Sequence, residues 1–274
     1  DYQATGQDGL STLESGLATN EMVEVKAGDT VYNVDGEPEV LAAGTKIIVA
    51  GETIEYDGSS VISLPQLVVT YKIKPFTWSD GTAASVGDME LAHKTDCDKT
   101  SGATSFITCD AMQAVEFGPD LQAAVTYVPG YQDPTYFLTP IGLYPSHQVL
   151  SDGRNLADVP AVEWATLPEI AEKPLSAGPF MITNWVKGER IEMEVNPYYA
   201  PAPKVQKVIV VIIPDTNQAV AQLLAGDVDY LERATLGGGD AVQTVIDAAA
   251  EGKVNVEIIP SPTWEHIDMN LYAK

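Results

Sequence analysis

The sequence predicts a mixed α/β (α+β) fold with an added β-meander. Three observations predict it. Short apolar runs cut by Asp-Gly and Gly turns fill residues 21–58. A continuous apolar run, Val205–Ile213, leads directly into a helix-start signal. Strand-like and helix-like stretches then alternate over residues 205–260.

Taken in order, residues 1–20 are polar and read as loop or helix. Val31-Tyr32-Asn33-Val34 meets Asp35-Gly36, Lys46-Ile47-Ile48-Val49 meets Gly51-Glu52, and Thr53-Ile54-Glu55-Tyr56 meets Asp57-Gly58. Asp-Gly between short strands is a hairpin signal, so this stretch is expected as a meander. Gln66–Lys74 alternates as a strand, and Ser79–Thr82 is a turn. Ser85 is expected to cap a helix running to about Lys94, with Asp88 reaching back. Ala111–Phe117 and Leu121–Tyr127 are expected to pair around Gly118-Pro119. Residues 128–145 are rich in Pro and aromatics and have no clean period. Residues 151–168 are irregular, with Trp164 as an anchor. Phe180–Val186 and Arg190–Val195 form a hairpin across Lys187-Gly188-Glu189. Val205–Ile213 reads as a strand buried on both faces. Asp215-Thr216-Asn217-Gln218 opens a helix to about Ala225, closed by Gly226. Val228–Leu231 is a short strand, and Asp240–Ala250 a helix ended by Gly252. Val254–Ile259 and Glu265–Asn270 are strands. Gly237-Gly238-Gly239 is a flexible turn.

The 274 residues allow one large domain or two ordinary ones, with a sizeable core. No apolar run reaches the roughly 18 residues that cross a membrane. The sequence opens at Asp1-Tyr2-Gln3 with no visible leader and reads as a processed chain or as a piece cut for expression. The net charge is −24, with only 15 Lys and Arg, which argues against a nucleic-acid partner. That charge reads first as keeping an exported protein soluble; it would also favour cationic ligands such as peptide amines. Cys97 and Cys109 flank a short polar loop. This suits a disulfide in an oxidising compartment, the alternative being two buried thiols in a cytosolic protein. No His or further Cys stands near them at metal-ligand spacing, so no metal or cofactor is expected.

Enzyme signatures are absent. The sequence has no G-x-S-x-G elbow, phosphate-binding G-x-x-x-x-G-K-[ST], dinucleotide G-x-G-x-x-G or H-E-x-x-H. His93, His147 and His266 are far apart and read as structural. The 39 Asp and Glu leave a glycosidase carboxylate pair open, with no spacing that points to one.

Three blocks carry a resemblance. Trp78-Ser79-Asp80-Gly81-Thr82, followed by a helix with Asp88, resembles the W-S-D-G-x-P-x-T-A-x-D-V block of family 5 solute-binding proteins, with Ala83-Ala84-Ser85 departing from it. Gly178-Pro179-Phe180, Trp185, Gly188 and Asn196-Pro197-Tyr198-Tyr199 resemble that family's hairpin. Val208–Ile213, Pro214-Asp215 and Leu223–Asp229 resemble its strand, P-D and helix segment. Together they span roughly residues 66 to 270. Each block also has a structural role as turn, strand entry or helix cap, and is expected to identify the fold without touching ligand.

The resemblance implies a periplasmic-binding-protein-like type II lobe at 66–274, preceded by an N-terminal segment at 1–65 that holds the meander. It implies a bilobal receptor whose second lobe and first strand lie outside this chain. It also implies capture of a short peptide or related small solute without chemistry, delivery to an ABC permease, a monomer, and an extracytoplasmic location, periplasmic or lipid-anchored. Nickel complexes and oligosaccharides are other solutes of the family. The rival readings are a secreted hydrolase of glycans or peptides and a β-rich surface module. For a cleft wall the candidates are Tyr131, Tyr136 and Phe137, with Tyr144 beside them, and Trp264 and His266 near the exit of the chain. The alternative is that these rings are core.

Overall fold

The structure is a computed structural model and describes residues 8–236 and 239–258. It divides into two compact units. The first holds the described residues up to Trp185 together with Ile191–Ile209; the second holds Val186–Arg190 and the described residues from Val210 onward.

In the first unit, strands β1 (Ala18–Val25), β2 (Thr30–Tyr32), β3 (Pro38–Val40), β4 (Lys46–Val49), β5 (Glu52–Glu55) and β6 (Ile62–Lys72) follow one another. β1 pairs antiparallel with β6 along its whole length, from Ala18 opposite Val69 to Val25 opposite Ile62. The expected meander is therefore two separate hairpins, β2–β3 and β4–β5, held between β1 and β6. The reason is ladder length. β2 and β3 have three residues each, and Pro38 has no N–H to extend their pairing. In β4–β5 the loop residues Ala50 and Gly51 have φ of 50° and 86°, the pair of positive angles that a tight twisted hairpin needs. The hairpins share a small core of Val25, Val31, Leu41, Ile47, Tyr56 and Leu64. Residue 65 falls inside β6.

Helix α1 (Val86–Asp96) is followed by the short α2 (Ile107–Asp110), β7 (Met112–Gly118) and β8 (Gln122–Tyr127). The main sheet has the order β1-β6-β8-β7. Alternation in β6 and β8 turns Leu67, Val69, Tyr71, Ala123, Val125 and Tyr127 to one face, where Met89 of α1 packs in the same cluster. The opposite side of α1 offers Leu91 to a second cluster with Leu150, Leu156, Val159, Trp164 and Leu167. Residues 151–168, expected to be irregular, hold two 3₁₀ helices, Leu156–Asp158 and Ala161–Thr166, the second carrying the buried Trp164, before the short α3 (Pro168–Ala171).

Asp88 ties these parts together. It is fully buried, and four donors meet its carboxylate. Trp78 Nε1 and the Ser85 amide donate to Oδ2 at 2.9 and 3.0 Å. The Ser146 amide and hydroxyl donate to Oδ1 at 2.8 and 2.6 Å. A buried carboxylate is tolerable only with such complete pairing. Gly81 closes the adjoining turn with φ of +92°, and a Cβ there would lie 2.8 Å from Tyr198 Oη. Asn196, also fully buried, donates to the Gly178 carbonyl at 3.0 Å and accepts from the Tyr198 amide at 3.0 Å. Trp78, Gly81, Asp88 and Asn196, the buried or tightly turned members of the two blocks, thus brace the fold.

β9 (Phe180–Val186) and β10 (Arg190–Val195) form the expected hairpin, and β11 (Lys207–Val211) completes a sheet of order β11-β10-β9. One expectation needs correction. The run Val205–Ile213 is not buried on both faces: Ile209, Val210, Val211 and Ile212 are 50%, 43%, 45% and 42% exposed. β11 is an edge strand of the described sheet, and among the described residues no further strand pairs with it, unlike the strands of a covered parallel sheet.

The second unit contains α4 (Thr216–Ala225), α5 (Arg233–Leu236) and α6 (Asp240–Ala250). Asp215 caps α4 by accepting from the Gln218 amide at 2.8 Å, and Gly226 ends it with φ of 82°. Val220 packs against Ala241 and Val245, with Leu231 alongside. Val228–Leu231 is not a strand, nor are residues 254–258, because neither short run has a partner to form a ladder with among the described residues. Ile259, the expected strand Glu265–Asn270 and Gly237-Gly238 lie outside the described residues.

Candidate functional site

Two places in the first unit carry aromatic side chains in number. The first is the segment after β8. Tyr131 is 8% exposed and stacks on Tyr127 with ring centroids 4.8 Å apart. Tyr32 meets its edge at 5.1 Å. Burial, then the Asp133 carboxylate, push the Tyr131 phenol up from its ordinary range. Burial does the same to Tyr71 and Tyr127, which keeps this buried trio neutral. The Tyr71 hydroxyl donates to the Tyr136 carbonyl at 2.7 Å, pinning the single 3₁₀ turn Tyr136–Leu138 over the sheet. Tyr136 is half-buried, its hydroxyl accepts from the Leu13 amide at 2.9 Å, and Phe137 meets it edge-on at 5.5 Å. Tyr131 thus faces the core, whereas Tyr136 and Phe137 reach the surface. Trp264 and His266 lie outside the described residues.

The second place is a groove of about 600 Å³ bounded by the last turn of α1, the loop that follows it, and Tyr144 with Trp164. The loop is closed by a disulfide between Cys97 and Cys109, as their spacing suggested. Trp164, 6% exposed, is the floor; its indole N–H donates to the Val159 carbonyl at 3.2 Å. Tyr144 lies against it at 5.0 Å and donates its hydroxyl to Asp96 Oδ1 at 2.7 Å. Burial, then Asp96, hold the Tyr144 phenol well above its usual range. Phe106 also lines the groove; Lys99 sits 4.4 Å over its ring and is paired with Asp110. Ile107 and Ile170 complete an apolar rim.

Of this groove, sequence reasoning singled out Tyr144, Trp164 and the cysteines, but not Asp96 or Phe106. A signal for Asp96 existed. A carboxylate in the last turn of a helix opposes the helix dipole, so an Asp there is a local misfit. Of the described histidines, His147 Nε2 lies 2.8 Å from Asp80 Oδ2 and His93 packs on Phe117. Burial lowers the His93 pKa, opposed by Asp96. Among the described residues no group of three or more His, Cys, Asp and Glu is arranged to hold a metal.

The groove thus combines aromatic faces, hydroxyls and one carboxylate, the mix of groups that lines many small-molecule sites. The comparisons name the class. Residues 57–274 match the family described as bacterial extracellular solute-binding proteins, family 5, middle region, and the chain belongs to that family. It is 27% identical over 190 residues to the oligopeptide-binding protein AppA of Bacillus subtilis, covering 68% of this chain and 32% of AppA. It is 24% identical over 254 residues to a probable ABC transporter-binding protein of Deinococcus radiodurans, covering 82% and 40%. Among solved structures, the oligopeptide-binding protein of Thermus thermophilus with a pentapeptide superposes with a TM-score of 0.51 at 18% identity, over 83% of this chain and 36% of that one. AppA of Bacillus subtilis with a nonapeptide gives 0.50 at 22%, over 74% and 37%. These likenesses establish the periplasmic-binding-protein-like fold. The chain spans roughly a third to two fifths of the length of these relatives.

Proposed function

We propose that this protein is the substrate-binding component of an ABC importer, capturing short peptides or related small solutes outside the cytoplasmic membrane and delivering them to a permease. The observation that carries this reading is the family match across residues 57–274. Relatives named as oligopeptide-binding proteins supply the peptide as ligand class. Capture proceeds without turnover and without a bound metal, by a monomer in the extracytoplasmic space, free or lipid-anchored. Tyr136 and Phe137 contribute the aromatic surface of the cleft, with Tyr131 behind them and Trp264 and His266 further along the chain.

Relatives more than twice as long imply that the site has a second wall. A ligand held by one wall buries about half its surface, against about 70–90% in a closed pocket. Calorimetry with a short-peptide library is therefore expected to show weak binding to residues 1–274 and tight binding to a chain extended past Lys274. Equal affinities would place the whole site within residues 1–274. Release of chromophore from generic peptide or glycan substrates by the extended chain would overturn the reading itself.

A further inference from the structure

We propose that the groove between the end of α1 and the disulfide-closed loop is a subsite for a primary ammonium group carried on a small apolar body. This deepens the solute-binding reading and rests on it. Three features of the groove converge on a cation. Asp96 lines it and receives one hydrogen bond, from Tyr144, and among the described residues it has no ion pair. Asp96 also ends α1, where the helix's last carbonyls add partial negative charge at the same spot. The last turn of α1 carries His93 and Lys94, but the Lys94 ammonium donates to the Ala157 carbonyl at 3.3 Å, and Lys99, the cation of the adjoining loop, is committed to Asp110 and to the face of Phe106.

The remaining walls suit the apolar body. Tyr144 and Trp164 present ring surface beside the carboxylate, and an ammonium over such rings gains further attraction. Lys99 over Phe106 shows that the loop itself uses this contact. The volume of about 600 Å³ lies within the range of small-molecule sites, roughly 300–1,000 Å³. The Cys97–Cys109 bond fixes the loop that forms one wall, so the distance across the groove is set before any ligand arrives.

An ammonium group has two sources, a free amine or the amino terminus of a peptide, and the test separates them. The probes are phenethylammonium, its neutral isostere 2-phenylethanol, the dipeptide Phe-Ala and N-acetyl-Phe-Ala. Each is titrated into the 274-residue chain and into a chain extended beyond Lys274, by calorimetry and by the NMR shift of the Trp164 indole N–H. At least one cationic probe is expected to bind and shift Trp164, and Asp96→Asn is expected to weaken it about tenfold or more, the loss of a charge-assisted contact. The neutral and acetylated probes are expected to bind that much more weakly than the cations in the unmodified chain. Binding of both cations assigns the site to ammonium groups in general; binding of the dipeptide alone assigns it to peptide termini. Asp96 is exposed, so the variant leaves the fold intact. Neutral probes matching the cations, an affinity indifferent to Asp96→Asn, or no cationic probe binding would overturn the subsite. If library peptides still bind Asp96→Asn undiminished, the solute-binding reading stands while the subsite falls. If phenethylammonium binds through Asp96 but no peptide or other solute binds the extended chain, the reading fails and the subsite stands.

Discussion

Trp78–Asp88 and Val205–Ile213 are equally conspicuous in the sequence, and the fold treats them in opposite ways. The first is anchored in the interior at both ends, by Trp78 and Asp88. Asp88 collects four donors, and Gly81 lets the turn between them close against Tyr198. The second, the more apolar of the two, stays open to solvent. A polar motif brings its own partners, because capping and turn contacts are made within a few residues. An apolar run specifies only that something should cover it, and the cover must come from elsewhere.

The sharpest way to break this comparison is Asp88→Ala. It strands several buried donors at about 1–3 kcal/mol each, so a loss of about 3 kcal/mol or more is expected in urea unfolding. A loss below about 1 kcal/mol would mean that water replaces the carboxylate and the block is not an interior brace. Gly81→Ala is expected to cost less, about 1–3 kcal/mol, from the positive φ and the approach of Tyr198. Combining it with Tyr198→Ala should recover the steric part and leave the backbone part, and strict additivity of the two changes would show that they do not touch. The smallest effect belongs to the other region. Ile209→Thr keeps the branched β-carbon at an exposed position and is expected to stay within about 0.5 kcal/mol of the parent protein. A cost comparable to that of Asp88→Ala would show that β11 is covered in solution.

The same contrast explains what could be read from the sequence. The hairpin Phe180–Val195, the Asp215 cap, the Gly226 terminator and the disulfide are local in chain distance, and all are found. The pairing of β1 with β6 joins residues some forty positions apart, and no turn signal announces it. Two true turns at Gly36 and Gly51 therefore suggested one meander where there are two hairpins. Val228–Leu231 has strand composition without a strand to pair with among the described residues. At the candidate site, a segment with no period does not tell a ring in the core from a ring on a wall, so Tyr131, Tyr136 and Phe137 look alike until Tyr127 and Tyr71 are placed under them. Asp96 escaped notice because its misfit shows only once the end of α1 is fixed at that residue.

The exposed apolar side chains of β11 and its C-terminal neighbour also govern how the protein behaves in a crowded solution. Ile209, Val210, Val211 and Ile212, in a stretch with good strand propensity, would adhere to the same stretch on another molecule. What opposes this is long-range repulsion between chains that each carry a net charge of −24. The two forces differ in reach: the screening length shrinks to about 8 Å at physiological ionic strength, while apolar adhesion is little weakened by salt. Colloidal stability should therefore fall as salt is added, contrary to the usual salting-in of a sticky acidic protein. Light scattering against sodium chloride concentration reads this directly, and a substitution of Ile209→Thr would move the onset to higher salt if β11 is the adhesive surface.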